Sequence, residues 1–408
     1  MQGKNIVIIG GGIGGIVLAN ALRENLDEIH RVVVIERTET HAFAASFLWL
    51  MVGQRERRDV ARPVRSLLRS NVELVIGEAS EIDASQHLVR AGTDSIPYDF
   101  LVLASGAELS FDGVPGLAAT DTFYTLDGAE KLHSKLRAFP GGRIAVVIAS
   151  TPYKCPGAPA EGAMLIQDFL RQRGIQGQVD VYTPEPQPMP VAGPMLGEAV
   201  TGMLTERGVV YHPSHSLRGI EQGKLSFEGR DSVSTDLVVA VPRHLPPSIL
   251  RAAGITNDAG WASAHSQTLA TKDPSIFAIG DCTAIPLPGR WHPDVPLLLP
   301  KAGVFAHGQA LTLAARIVAT ICDQRTLPEF GGGGFCILEA GRQRAGFAFG
   351  DFYATPSPDV HLRNVGKSWH TSKVLFEKWW LAAPGLRKDL LGKLMRTGGI
   401  LAGIPVEL

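Results

Sequence analysis

Cysteine is scarce in this sequence, with four in 408 residues, which excludes a fold held together by a disulfide framework. Charge of one sign is also missing. Lys and Arg number 39 against 40 Asp and Glu, a formal net charge of -1, and a nucleic-acid binder would carry a clear basic excess. No nucleic-acid partner is therefore expected. No uncharged apolar run of about 18 residues occurs, so no spanning helix is expected and any membrane contact has to be peripheral. The first apolar strand follows Met1 almost directly, with no charged and apolar leader ahead of it, and no secretory signal is expected. No metal site is expected either.

The chain is too long for one ordinary core and points to two α/β domains with a tail. Asn5 to Ile9 is nearly all apolar and reads as a buried parallel strand. It runs into Gly10-Gly11-Gly12-Ile13-Gly14-Gly15, a G-x-G-x-x-G in which Gly10 allows a tight turn. Gly12 lets backbone approach a pyrophosphate, and Gly15 lets helix pack on strand. A helix from Ile13 to about Glu24 then aims its free N–H groups at phosphate. The next strand, from Arg31, ends at Glu36, 26 positions past Gly10, where a carboxylate can accept both hydroxyls of an adenosine ribose. Strand, turn, helix, strand and acid together predict a dinucleotide site.

Two later segments resemble those of two-dinucleotide flavoproteins. Tyr98 to Ala107 is similar to their "YDxLVLATGA" strand and turn, and Thr271 to Asp281 to their second FAD fingerprint. The resemblance implies FAD as cofactor, with Gly280 at the turn and Asp281 on the ribityl chain. It implies further flavin contacts at Arg37, Ser46, Ala79, Ser105, Gly106, Pro300, Lys301 and Gly303.

Relatives that use NAD(P)H carry a second glycine turn after a mid-chain strand. Here that strand is predicted from Arg143 to Ala149, and the turn after it holds Pro152, Tyr153 and Pro156. Proline removes a backbone donor and bulky side chains bar a pyrophosphate, so no nicotinamide site is expected. The run Pro152-Tyr153-Lys154-Cys155-Pro156-Gly157-Ala158-Pro159-Ala160-Glu161 resembles a redox-cysteine motif of the sulfide:quinone oxidoreductases. These are members of the flavoprotein disulfide reductase superfamily. Gly331 to Gly341, which contains Cys336, is similar to the segment that carries their second redox cysteine, and Leu299 to His307 to their "PKxG" segment beside the flavin.

The resemblance implies an α/β fold of two Rossmann-like domains and a C-terminal amphipathic tail. FAD would occupy residues 1–112 and 262–330, a degenerate second unit 113–261, and the redox and interaction region 331–408. It implies that sulfide attacks a sulfur bridge between Cys155 and Cys336, that FAD takes the electron pair, and that a quinone receives it. Glu161 either relays protons or merely opens a helix. Lys301 would place positive charge at the flavin pyrimidine, and Lys154 with a helix N-terminus near Ala158 would lower the Cys155 pKa. Cys282 and Cys322 are expected to be packing residues, the usual fate of a free cysteine.

The sequence also departs from the family. Many members carry a third cysteine where Tyr124 stands here and a histidine where Gly128 stands, and a further histidine is replaced near Pro194. Flavocytochrome c sulfide dehydrogenases share the lack of a third cysteine. A soluble dehydrogenase serving cytochrome c, a type II NADH dehydrogenase and a flavin redox sensor without turnover therefore stay open as alternatives. From residue 361 the tail holds eight basic residues against three acids, with Trp369, Phe376, Trp379 and Trp380 among them. Leu386 to Met395 reads as a basic amphipathic helix for a membrane surface, or else for the protein body or a partner subunit. A homo-oligomer is expected, because flavoproteins of this kind often dimerise through C-terminal elements.

Overall fold

The computed structural model describes residues 3–404. Asn5–Ile9, Arg31–Glu36, Glu73–Ile76, Phe100–Leu103 and Ile276–Ala278 make one five-stranded parallel sheet, with Asn5–Ile9 at its centre. Ile6, Val7 and Ile8 have no exposed surface, as a strand covered on both faces requires. Helix α1 (Ile13–Asn25) follows the glycine turn. A Cβ on Gly15 would lie 1.8 Å from the Gly10 carbonyl oxygen, so only glycine lets this helix close on its strand. The last strand of this sheet comes from far along the chain, and the central part of the chain is inserted before it.

That insertion contains a second parallel sheet of Gly142–Ile148, Gly177–Tyr182, Val210–His212 and Leu237–Val241. Its crossover helix α2 (Ala158–Gln172) begins directly after the proline-rich turn and is buried along most of its length. The α/β class with two Rossmann-like units agrees with the expectation. Helix α3 (Gly303–Ile321) packs against α1. It is long and apolar enough to cross a membrane by length and composition, yet Phe305, Ala306, Ala310, Leu313 and Ile317 are buried in the body. Cys322 follows it and is exposed, which corrects the expected packing role: the helix has ended and the chain has turned to solvent.

Toward the C-terminus Gly333–Glu339, Ala345–Asp351 and Asp359–Gly366 form an antiparallel sheet. Helix α4 (Lys367–Trp380) and helix α5 (Leu386–Leu401) complete the chain. On α4, His370, Lys373, Glu377 and Trp380 recur at steps of three and four and share one face, and that face points into the body. Trp380 is almost fully buried and its indole N–H donates to His41 Nε2 at 2.9 Å. Burying an indole of this kind is worth about 3–5 kcal/mol. Of the tail tryptophans, Trp379 and Trp380 are therefore core residues, while Trp369 is half-buried. Glu377 accepts from Ser46 Oγ (2.6 Å) and pairs with Arg55 (2.8 Å), which ties α4 to residues more than 300 positions earlier.

Candidate functional site

One cavity of about 770 Å³ runs through the middle of the molecule, within the size range of small-molecule and cofactor sites. At one end lie Gly11, Gly12, Gly14 and Glu36, where Glu36 accepts from the Gly11 N–H (2.6 Å) and the Thr38 N–H (3.1 Å). A Cβ on Gly12 would meet nothing within 4 Å, so the turn leaves open space beside the free N-terminus of α1. Gly106, Gly280, Asp281, Pro300, Lys301 and Gly303 line the middle. Asp281 Oδ1, Ser105 Oγ and Gln309 Nε2 are buried without a hydrogen-bond partner, and buried polar atoms of this kind are ordinarily satisfied. An open cradle at a helix N-terminus, with the unpaired Asp281 carboxylate on the same cavity wall, fits a dinucleotide with a polar sugar chain.

Lys301 is anchored by donating to the carbonyl oxygens of Asp281 (2.7 Å) and Thr283 (2.9 Å), with its amine 3.4 Å from the centre of the Trp261 ring. Burial lowers its pKa to about 8, against the pull of Asp281. The wall does not include Arg37, Ser46, Ala79 or Ser105. Arg37 points to solvent, Ser46 is spent on Glu377, and Ala79 pairs with Ala91 in a small outer sheet. Gly10 and Gly15 stand behind the turn and shape it.

The proline-rich turn forms the opposite wall. Tyr153 is buried and its hydroxyl donates to Glu185 Oε2 at 2.6 Å, so an aromatic ring and a carboxylate occupy the place where a glycine turn would cradle phosphate. Cys155 has φ of 54°, a left-handed conformation that costs a non-glycine residue energy and recurs at functional sites. Its N–H donates to the Lys301 carbonyl oxygen at 2.6 Å, which fixes the cysteine against the "PKxG" segment. Cys336 comes from the C-terminal sheet and lines the same cavity. A Cβ on Gly157 would sit 3.4 Å from Cys336 Sγ, so the second thiol lies against the turn that carries the first. The two are unbridged.

Beside both sulfurs lies a buried ion pair, Glu161 with Lys373, and Lys373 also donates to the Ile337 carbonyl oxygen at 2.9 Å. Glu161 accepts from the Glu339 N–H at 2.8 Å. Burial acts to lower the Lys373 pKa, but Glu161 and Glu339 outweigh it and hold the amine charged. Burial, and then Glu161, push the Cys155 thiol up to about 12, and Cys336 is raised for the same reasons, with Lys373 opposing in both cases. The expected activation of Cys155 by Lys154 is corrected here. The cation that favours thiolate is Lys373, joined at Cys155 by the Ala158 N–H at the start of α2. Tyr124, at the place of the missing third cysteine, is buried on the wall and donates to the Lys154 carbonyl oxygen at 3.2 Å. Cys282 is a packing residue, its thiol donating to the carbonyl oxygens of Leu103 and Ile279. Lys373, Glu339, His370 and Trp380 were not singled out from the sequence as site residues, and no local pattern marks them.

Fold and cavity define an FAD-binding oxidoreductase with two dinucleotide-type domains. Residues 4–303 match the family model of the pyridine nucleotide-disulphide oxidoreductases, and the chain belongs to that family. It is 28% identical to a sulfide-quinone reductase of Aquifex aeolicus over 93% of this chain and 90% of the relative. It is 24% identical to the mitochondrial sulfide:quinone oxidoreductase of Mus musculus over 86% of this chain and 79% of the relative. The crystal structure of the sulfide:quinone oxidoreductase from Aquifex aeolicus superposes with a TM-score of 0.81 at 28% identity, covering 92% of this chain and 90% of that one.

Proposed function

We propose that this protein oxidises sulfide to sulfane sulfur through Cys155 and Cys336 and passes the electrons to a quinone. The observation that carries the reading is the placement of both thiols beside one buried cation in the cavity that begins at the glycine turn. The similar sulfide:quinone oxidoreductases support it. Gly12, Glu36, Gly106, Gly280, Asp281, Lys301 and Gly303 would hold the FAD.

In the oxidised protein the two sulfurs form a bridge. Hydrosulfide attacks one of them, the S–S bond breaks, and one cysteine becomes a persulfide while the other leaves as thiolate. Lys373 stabilises that leaving charge in a site where burial alone opposes it. FAD, when bound, supplies the two-electron acceptor as the bridge re-forms one sulfur longer and a proton is released. Tyr153 and Glu185 exclude a nicotinamide dinucleotide from the opposite side. The quinone takes the lobe lined by Phe43, Phe335, Phe376 and Lys373, where the rings of Phe335 and Phe376 meet edge to face at 5.9 Å.

Anaerobic titration tests this directly. Sulfide bleaches the flavin absorbance, NADH leaves it unchanged, and decylubiquinone restores the colour. Bleaching by NADH would sink the reading, and restoration by cytochrome c but not by quinone would move the acceptor to the alternative.

The tail supports peripheral attachment to a membrane, where quinones reside. Leu386, Leu390, Leu394 and Leu401 of α5 are exposed, with Arg387, Lys393 and Arg396 also at the surface. Lys388 is folded back over the Trp379 and Trp380 rings. Introducing Leu390→Asp with Leu394→Asp is expected to weaken co-sedimentation with anionic vesicles roughly a hundredfold or more, since each buried leucine contributes roughly 1.5–3 kcal/mol. Unchanged sedimentation would show that this face is not the one in the lipid.

A further inference from the structure

Sulfide oxidation and quinone reduction do not balance in protons inside the cavity. Bridge re-formation releases two electrons and one proton for each hydrosulfide consumed, whereas the quinone takes two electrons and two protons to become quinol. The sum is HS⁻ + H⁺ + quinone → sulfane sulfur + quinol, so one proton per turnover has to enter from solvent. The Glu161–Lys373 pair on the cavity wall is buried, with side chains 2% and 8% exposed, and cannot exchange protons with water on its own.

We infer that His370 and Glu339 are the proton inlet of the quinone lobe, an assignment that rests on the proposed quinone chemistry. Glu339 is buried, and its carboxylate meets His370 Nδ1 at 3.0 Å. The His370 side chain is 18% exposed, so it connects this buried carboxylate to solvent. Alternation along Gly333–Glu339 sends Phe335, Ile337 and Glu339 to the α4 side of the strand and Cys336 to the side of the proline-rich turn. The inlet thus approaches the quinone lobe from behind the sulfur chemistry.

Beyond Glu339 the next charged groups are Lys373, whose charge Glu339 helps to hold, and Glu161, which accepts the Glu339 N–H. The ring of His370 packs at 5.8 Å against the Trp49 indole. The same indole also meets Arg55, 4.6 Å from its centre and paired with Glu377, and Lys373 at 5.7 Å. An imidazole can pass a proton by taking it on one ring nitrogen and giving it from the other, and the Glu339 carboxylate receives it from His370 Nδ1. When Lys373 hands a proton to a quinone oxygen, this pair replaces it. His370 acts through Glu339 and is a positioning and relay residue.

The test uses holoenzyme reduced with dithionite, so it does not depend on sulfide. The variants are His370→Ala and Glu339→Gln, the second keeping the shape of the side chain. Both are expected to re-oxidise with decylubiquinone about tenfold more slowly than wild type, below the usual gain from direct acid catalysis because the relay acts at one remove. Re-oxidation by ferricyanide, which takes electrons without protons, stays at the wild-type rate. Added imidazole restores the quinone rate of the alanine variant. Wild-type quinone rates in both variants would overturn the inlet, and so would an equal slowing with ferricyanide. Wild-type enzyme that sulfide fails to bleach would overturn the sulfide reading while leaving this comparison intact.

Discussion

Replacing either Cys155 or Cys336 with serine is expected to slow sulfide-dependent bleaching of the flavin by about a thousandfold, and the double variant should be no slower than either single one. Groups that act as a unit fail together, and a bridge needs both of its sulfurs. The structure gives this a spatial basis, because burial and the same Glu161 charge raise both thiols and Cys155 raises Cys336 as well. Serine keeps the size and loses the chemistry, so FAD content and the visible spectrum should stay as in wild type. Stopped-flow absorbance under anaerobic conditions measures all of this. A Cys336→Ser variant that bleaches at the wild-type rate would remove this cysteine from the mechanism and leave Cys155 with some other partner.

The second large effect is on stability. Lys373→Met is expected to cost about 3–5 kcal/mol in chemical denaturation, because it strands the Glu161 carboxylate in a dry interior. Burial alone pushes the Glu161 pKa up, and Lys373 is the main force pulling it back down. Without the lysine, Glu161 is expected to take up a proton on folding, so the variant should become more stable as pH falls toward the carboxylate range. Replacing both residues with apolar ones, Lys373→Met with Glu161→Leu, should recover most of the loss, since a buried pair adds little over well-packed hydrophobic groups. A single variant as stable as wild type would mean that water reaches this pair. The same lysine serves the thiolates, so Lys373→Met should also slow bleaching even where the protein remains folded.

The elements that bind nucleotide were readable in the sequence because they are local. A strand, Gly10 to Gly15, a helix and Glu36 lie within about thirty residues, and each has a steric or hydrogen-bonding reason to be where it is. The motif around Cys155 was legible for the same reason: prolines and a tyrosine in a phosphate-binding turn contradict phosphate binding on sight. The sequence left the tail open between a membrane surface, the protein body and a partner subunit, and α4 packs on the body while α5 keeps Leu386, Leu390, Leu394 and Leu401 exposed. Lys373 and Glu377 are charged, yet their partners Glu161, Ser46 and Arg55 lie hundreds of positions away, and no periodicity within α4 can disclose them. Composition does not decide where Trp379 and Trp380 go, and only their packing against Phe43 and His307 assigns them to the core.

By itself, then, the sequence determined part of the chemistry available: which turn can approach a pyrophosphate and which one cannot. These are properties of consecutive residues, written in backbone donors and side-chain volumes. Only the tertiary structure decided that Cys336 lies against the turn of Cys155, that a lysine from the tail lies beside both, and that the partly exposed His370 meets the buried Glu339 carboxylate. Those are relations between segments far apart in the chain, and burial, which decides whether a charge is a solvated ornament or a costly internal group, exists only once the segments have packed.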